Sequence, residues 1–488
     1  MDEHLMKKAT RATTVIQPSL VKADASDYIN STSREYAIYT AQNRAIPSSC
    51  DGLKDGQRKA FWIIRNKAEK IKTVSLAGEM ISANIFLHGD VSASDTISRL
   101  AAPYLNNIPL LQGLGAFGTR VAPDGWGAPR YTYVKKSKAT EALLYTDLDI
   151  VPLKPNYDGS VMEPANFLPL IPLTLLNGMS GIAVGWSTDI LPHSLKEIVA
   201  GTLAAIDGMP IPDLVPQFDY LQTTVKPLGD NAYEFTGKIT IESDNVIRIT
   251  ELPPDMSLEK FKARLNQMED DGQISMYTDR STKTIDIEVR FKRGVINGKP
   301  ATTEIVNGKK VKVAGVDPWT EADAISFFKL KSKTTQRIVV LDFNNASIRQ
   351  YDNAPDLIKA YVEWRLGWYT IRYNKMRDEL LSELNFACGI QACLKGGLPK
   401  WLPTADNKAA VEAKVRELTV KIDLRDDQIE RIVSLPTYRW AKDAIEKVQG
   451  EIEELSEKIV EYESILADPK KIRAVYRQEV ASLQNLKI

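Results

Sequence analysis

An arginine stands directly before a tyrosine at Arg130-Tyr131, at the end of a run that no regular helix could contain. Residues 111–130, LQGLGAFGTRVAPDGWGAPR, hold five glycines and two prolines. That composition predicts a long loop, and Phe117 and Trp126 within it argue for a folded, functional loop over a disordered one. A tyrosine hydroxyl, with a pKa of about 10, is a poor nucleophile at neutral pH. It needs a base, a neighbouring cation or a metal-polarised phosphate. Arg130 is the adjacent cation, because a planar guanidinium holds phosphate oxygens and counters charge that grows in a transition state. His88, one of three histidines, could hydrogen-bond a phosphate or tyrosine oxygen. The residues alone leave plainer roles open. Tyr131 is one of 18 tyrosines and could be half-buried packing, as could Tyr133. Arg130 could simply neutralise a phosphate, and His88 could be structural.

Other chemistries lack their residues. No glycine-rich loop ends in Lys-Ser/Thr, so no nucleotide-binding signature is present. Asp147-Leu-Asp149 has the spacing of a metal-binding acid pair but lacks its context. Cys50, Cys388 and Cys393 are the only cysteines, which argues against a zinc site and for a reducing compartment. The N-terminus, MDEHLMKKATRATT, has no apolar signal region, and no apolar run is long enough to span a bilayer. A cytoplasmic location is expected.

The elements that must position these residues are readable in outline. A chain of 488 residues exceeds one ordinary core, so several domains are expected. Formal net charge is zero, but it is segregated: residues 51–70 carry six basic and three acidic residues, 111–140 five and one, and 441–466 three and eight. The first 33 residues are polar and read as an arm. Residues 35–71 look helical, with Phe61, Ile64, Ala68 and Ile71 at helical spacing. Ser92 to Asp95 fits a capping box opening a further helix. Two helices near a short connection suit a helix-turn-helix or winged-helix module, or an ordinary helical pair. Residues 233–293 alternate as strands (KITIE at 238–242, TIDIEVR at 284–290) around a helix over 257–269. From residue 355 the chain turns helical. Ile445, Val448, Ile452, Leu455, Ile459, Tyr462 and Leu466 form a heptad seam. Ile358, Val362, Leu366, Tyr369, Tyr373, Met376 and Leu380 form an outgoing arm able to pair with it antiparallel. An arm of about 30 residues spans roughly 45 Å. Gly396, Gly397, Pro399, Pro403 and Pro436 between the arms imply a globular tip.

At residues 112–136 the reading becomes specific. QGLGAFGTRVAPDGWGAPRYTYVKK resembles the active-site segment of type IIA DNA topoisomerases: a QG-x-G-x-FG loop, a small-residue run, then Arg-Tyr. NRAIPSSCDGLKDGQRKAF (43–61), HGD (88–90), NFLPLIPLTLLNGMSGIAVGWSTDILPHSLKEIV (166–199) and ILADPKKIRAVYRQEV (465–480) match further family segments in order. NRAIP, LLNG-x-SGIA and ILPHS lean toward the medium subunits of T-even-type phage enzymes. Two departures stand out: Asp55 replaces the usual proline after DGLK, and Leu87 replaces the first of a paired histidine.

The resemblance implies a gyrase A-like breakage-and-reunion subunit of a multidomain α+β class. Its expected parts are an arm (1–34), a winged-helix cleavage domain (35–158), an α/β tower (159–354), an outgoing coiled-coil arm (355–386), a dimer-gate tip (387–440) and a return arm with a C-terminal helix (441–488). It implies that Tyr131 attacks a DNA phosphate to leave a 5′-phosphotyrosine, with Arg130, His88 and Arg44 as catalytic helpers. It implies that Lys54, Arg58, Lys59 and Arg120 hold the DNA backbone, and that Ile182 wedges into the base stack beside the cut. It implies a homodimer through the tip, double-stranded DNA as substrate, and a large partner subunit that uses ATP and holds Mg²⁺. No metal site is expected on this chain. The sequence stops where gyrase A subunits continue into a DNA-wrapping domain, so relaxation and decatenation are expected over active supercoiling. If phage-encoded, the protein would work in the cytoplasm of an infected bacterium. Two competitors are a non-catalytic DNA-binding scaffold dimer, which would form no covalent DNA adduct, and a stand-alone tyrosine nuclease, which would cut without a partner.

Overall fold

The structure, a computed structural model, describes residues 24–299, 301–306, 309–313, 315–440 and 444–486. Most of the expected N-terminal arm lies outside them. Residues 25–45 are helical without a break, so no boundary falls at residue 34. This helical run is largely exposed until Ala41 and Ala45, which pack against Val339 and Leu341. It ends at Ile46, which turns extended (φ −99°, ψ 129°) because the following Pro47 disfavours helical backbone before it.

The helix expected over 35–71 is therefore interrupted. Helix α1 spans Asp55–Ile64 and buries Phe61 and Ile64, while Ala68 is exposed and Ile71 opens a strand. Strand β1 (Ile71–Lys72) leads into α2 (Thr73–Ser82), and α3 covers Asp90–Ala101. The capping box expected at Ser92 is not used. The helix starts at Asp90 after Gly89, and the Asp95 carboxylate pairs with Arg99 one turn on, at 3.0 Å. The glycine-rich run is not wholly irregular either. Leu111–Leu114 forms β2, which pairs antiparallel with β3 (Tyr133–Lys136), and β3 also pairs with β1. Three mutually packed helices thus accompany a small sheet ordered β1-β3-β2, which α2 and α3 touch directly.

Strands β4 (Met179–Ala183) and β5 (Trp186–Ile190) form a hairpin, followed by α4 (Leu195–Ile206). Of the alternating segments expected as strands, 238–242 is strand throughout, while 284–290 is strand only from Ile287. Lys238–Ser243 (β6) and Val246–Glu251 (β7) precede α5 (Leu258–Asp270), whose N-cap is Ser257. Met276–Asp279 (β8) and Ile287–Arg290 (β9) complete an antiparallel sheet ordered β6-β7-β9-β8. Phe261, Leu265 and Met268 of α5 close one core with Ile247, Ile249, Ile287 and Val289, each contributing about 1.5–3 kcal/mol by burial. Strands β10 (Ile338–Leu341) and β11 (Ile348–Tyr351) pair beside the β4–β5 hairpin.

Core membership cuts across the boundary expected at 158/159. Phe167, Ile171, Leu175 and Ile198 share one core with Phe61, Leu76, Ile97 and Val134, and Val340 and Ile358 join it. Within 159–354, residues 239–330 carry the largest separate core.

Helix α6 runs unbroken over Ala354–Lys395, nine residues past the expected end of the outgoing arm. Helix α7 (Ala444–Ala467) returns along it, and α8 (Pro469–Ser482) follows after a break at Asp468, whose side chain caps α8. Tyr373 meets Tyr462 edge-on and Gln391 meets Gln449, so the two long helices run antiparallel. Two features of the seam differ from expectation. Ile358 and Val362 bury into the body core, not against α7. Ile445 is exposed while Ala444 is buried in the tip core. That core, between the far ends of α6 and α7, gathers Ile390, Cys393, Leu398, Val415, Ile429, Ile432 and Val448.

Candidate functional site

Tyr131 sits where the glycine-rich loop turns into β3. It is 70 % exposed, and the guanidinium of Arg130, also exposed, lies 4.7 Å from the centre of its ring. The loop behind it is ordered: Gly127 N donates to Ala116 O at 2.9 Å, Phe117 and Trp126 bridge across it, and Phe117 is buried in the body core. The residues flanking Tyr131 are pinned to the start of α2. Thr73 N donates to Thr132 O at 3.0 Å and Val74 N to Pro129 O at 3.2 Å. These amides belong to the first turn of a helix, where no intrahelical acceptor serves them.

Beside the end of the 25–45 helix lies a cleft of about 670 Å³ whose lining includes Arg44, Lys54, Lys59, His88, Arg99 and Lys154. Arg44 Nη2 approaches His88 Nδ1 at 3.4 Å. That nitrogen accepts, so the neutral ring carries its hydrogen on Nε2. Burial, then the charges of Arg44 and Lys59, holds the His88 pKa below its ordinary value. Burial, then the Arg99 charge, likewise lowers that of Lys54, whose ammonium donates to Ser180 O at 2.7 Å. Tyr131 and Arg130 do not line this cleft. Within one chain the nucleophile candidate and the His88–Arg44 pair are separate.

Three cations expected on DNA are used inside the protein. Arg58 is 5 % exposed. It donates to Asp51 at 2.7 and 2.9 Å and to Leu53 O at 3.0 Å, and Asp51 raises its pKa against the opposing effect of burial. Lys59 is held by Asp55 at 2.8 Å and Glu163 at 3.2 Å. Burial pushes the Asp55 pKa up, but Lys59, Arg58 and Lys154 outweigh it and the pKa falls. Asp55, the departure from the family proline, is thus the anchor of a cation cluster. Arg120 donates to Pro253 O and Met256 O, each at 3.0 Å, tying the glycine-rich loop to the edge of the separate β-sheet core. Arg99 and Lys154 also line the cleft, although neither stands out in the sequence. Arg99 lies on the helix that follows HGD, which is a usable signal. Lys154 reaches Asp55 and Glu163 only through the fold.

Ile182, on the β4–β5 hairpin, is 88 % exposed, with Val184 and Trp186 exposed nearby. The hairpin lies tight on the end of the 25–45 helix. A Cβ at Gly181 would stand 2.0 Å from Ala45 O, so only glycine allows the approach.

The Asp147-Leu-Asp149 pair is occupied. Asp147, buried, accepts from Arg365 and Arg372, and Asp149 accepts from Lys375. Arg372 also donates to Glu479 of α8 at 2.6 Å, which joins the body to the root of the helical hairpin. Among the described residues, no group of three or more His, Cys, Asp or Glu side chains is placed to hold a metal ion.

Comparison with known proteins identifies the family. The profile of the DNA gyrase/topoisomerase IV A-subunit family matches residues 44–481. The chain is 28% identical over 438 residues to the DNA topoisomerase medium subunit of Enterobacteria phage T4, covering 88% of this chain and 92% of that protein. It is 30% identical over 440 residues to DNA topoisomerase 2-alpha of Cricetulus griseus, covering 88% of this chain but only 27% of that protein. In three dimensions it resembles the topoisomerase II DNA-binding, cleavage and re-ligation domain of Plasmodium falciparum, with a TM-score of 0.74 and 21% identity, covering 94% of this chain and 66% of that one.

Proposed function

The chain belongs to the DNA gyrase/topoisomerase IV A-subunit family, and from that premise we propose that it is the DNA-cleaving and rejoining component of an ATP-dependent type II topoisomerase. The observation that carries this reading is Tyr131, a solvent-exposed tyrosine beside Arg130 on a loop hydrogen-bonded to the start of α2. The phenol oxygen attacks phosphorus and gives up its proton. The bond from phosphorus to the 3′ oxygen breaks, and the departing 3′ oxygen takes a proton. One ester replaces another, so the 5′-phosphotyrosine retains the energy needed to reseal. Arg130 counters charge growing on the phosphoryl oxygens. Arg44 and His88 hold phosphate, His88 through its Nε2 hydrogen. Lys54, with Arg99 and Lys154, lines the path of the backbone.

In this reading the helices and small sheet of residues 55–136 are a winged-helix module. Residues 239–330 form the tower. Helices α6 and α7 form a coiled-coil hairpin whose tip pairs with that of a second copy, so that one Tyr131 faces each strand. Ile182 enters the base stack as an apolar wedge; such wedges unstack a step and bend the duplex. Asp147 and Asp149, the acid pair whose sequence spacing suits a metal, are bound by cations. In this reading Mg²⁺ and ATP belong to a large partner subunit, in a heterotetramer or a larger split assembly that relaxes and decatenates DNA. No helix among the described residues is long and apolar enough to cross a membrane. The proposed site of action is the cytoplasm, of an infected bacterium if the gene is viral, and the likeness to the phage protein supports it.

The test is incubation of this chain and its partner with duplex DNA and Mg²⁺, a detergent trap, and peptide mapping of the adduct. DNA should be found on Tyr131, and Tyr131→Phe should bind DNA without forming an adduct. An adduct that persists in Tyr131→Phe overturns the assignment.

A further inference from the structure

We infer that Thr73 and Thr132 are positioning residues for the Tyr131 nucleophile, acting through a buried hydroxyl–hydroxyl hydrogen bond; the inference rests on the role proposed for Tyr131. Their Oγ1 atoms lie 2.8 Å apart, and both residues are almost wholly buried. Among the described residues the Tyr131 side chain has no hydrogen bond, and its ring meets only the guanidinium of Arg130 face-on as a charged contact. Its phenol is thus aimed by the backbone of residues 129–132 and two side-chain torsions. That backbone is fixed at three points: Tyr131 N to Ala128 O at 2.9 Å, and Thr132 O and Pro129 O to the first amides of α2.

Thr132 closes the frame from the other side. Its methyl carbon lies where a Cβ on Gly115 or on Gly127 would approach to 3.3 Å. Its hydroxyl therefore faces α2 while its methyl faces the two arms of the glycine-rich loop. One side chain locks loop, nucleophile and helix start together. Cleavage needs in-line geometry, and small misplacements of a reacting group are costly. A clamp next to the nucleophile that does not touch substrate serves that need. Valine matches threonine in shape and lacks only the hydroxyl; serine keeps the hydroxyl and lacks the methyl.

The experiment compares Thr132→Val, Thr132→Ser, Thr73→Val and the double Val variant, each as the full chain assembled with its partner subunit. The measured quantities are the single-turnover rate of adduct formation at saturating DNA, the Kd for DNA, and the melting temperature. Thr132→Val and Thr73→Val should each slow adduct formation tenfold or more, with Kd within twofold of wild type. Thr132→Ser should stay within threefold. The double Val variant leaves no orphaned hydroxyl, so it should melt near wild type and still cleave slowly. Its slowing should not exceed that of either single variant by more than about threefold, because both break one bond. A well-folded double variant that cleaves at the wild-type rate overturns the inference, as does Thr132→Ser being as slow as Thr132→Val. A Tyr131→Phe control run alongside separates the two questions: an adduct surviving there sinks the nucleophile assignment itself, whatever the threonines do.

Discussion

Arg58 grips Asp51 inside the protein through two hydrogen bonds, 2.7 Å from Nε and 2.9 Å from Nη2. Asp51 Oδ2 also accepts from the amide of Phe167, 116 residues away in sequence. A cation that the sequence offers to DNA is instead the inner tie between the 51–64 segment and the segment leading to the β4–β5 hairpin. Removing one partner of a buried pair strands the other charge, at about 3–5 kcal/mol. Arg58→Ala should therefore lower stability by that order in urea unfolding. A variant that unfolds like wild type and loses only DNA affinity would return Arg58 to the DNA surface.

Lys54 should behave in the opposite way. It lines the open cleft, and replacing it by alanine should weaken DNA binding and reduce the salt slope of log K by about 1, with little change in melting temperature. Titrations at several salt concentrations decide this; an unchanged slope would remove Lys54 from the phosphate contacts.

Ile182→Ala should reduce DNA bending and cleavage more than overall affinity, because an exposed apolar tip contributes through unstacking and not through charge. Energy transfer between dyes at the ends of a short duplex reads the bend. Equal bending by wild type and variant would contradict the wedge role.

His193 is wholly buried, and burial lowers its pKa from 6.5 to about 4. Between these values the unfolded chain binds a proton that the folded chain refuses, so stability rises with pH there. The contribution is complete above pH 6.5 and is lost as pH falls toward 4, by about 3 kcal/mol in all. Unfolding midpoints at pH 7, 5.5 and 4.5 should fall less steeply for His193→Leu than for wild type. Parallel acid slopes would mean that His193 does not carry the effect.

Asp147→Asn should cost stability, because Arg365 and Arg372 both rely on the carboxylate. The Mg²⁺ midpoint for cleavage by the assembled enzyme, measured at low temperature, should not move. A tenfold shift of that midpoint would make Asp147 a metal ligand after all.

Much of the architecture was legible because it depends on local periodicity. Alternating KITIE and the second half of TIDIEVR became strands, the helix expected over 257–269 formed over Leu258–Asp270, and the spacing from Val448 to Tyr462 placed α7 against α6. The Arg-Tyr pair at the end of a glycine-rich run likewise announced itself, since glycine and proline exclude a helix whatever surrounds them. The fate of individual charges was not legible. Lys54, Arg58 and Lys59 lie within six residues, yet Arg58 and Lys59 are paired with carboxylates while Lys54, beside the same cleft as Lys59, has no acidic partner within ion-pair distance among the described residues. Local sequence determined which segments would be helix, strand or loop and which residues could do chemistry. Only the tertiary structure decided which cations remain free to meet a phosphate, because partners such as Glu163 and the carbonyls beyond Leu252 are brought from distant segments, and an ion pair is chosen by distance in space.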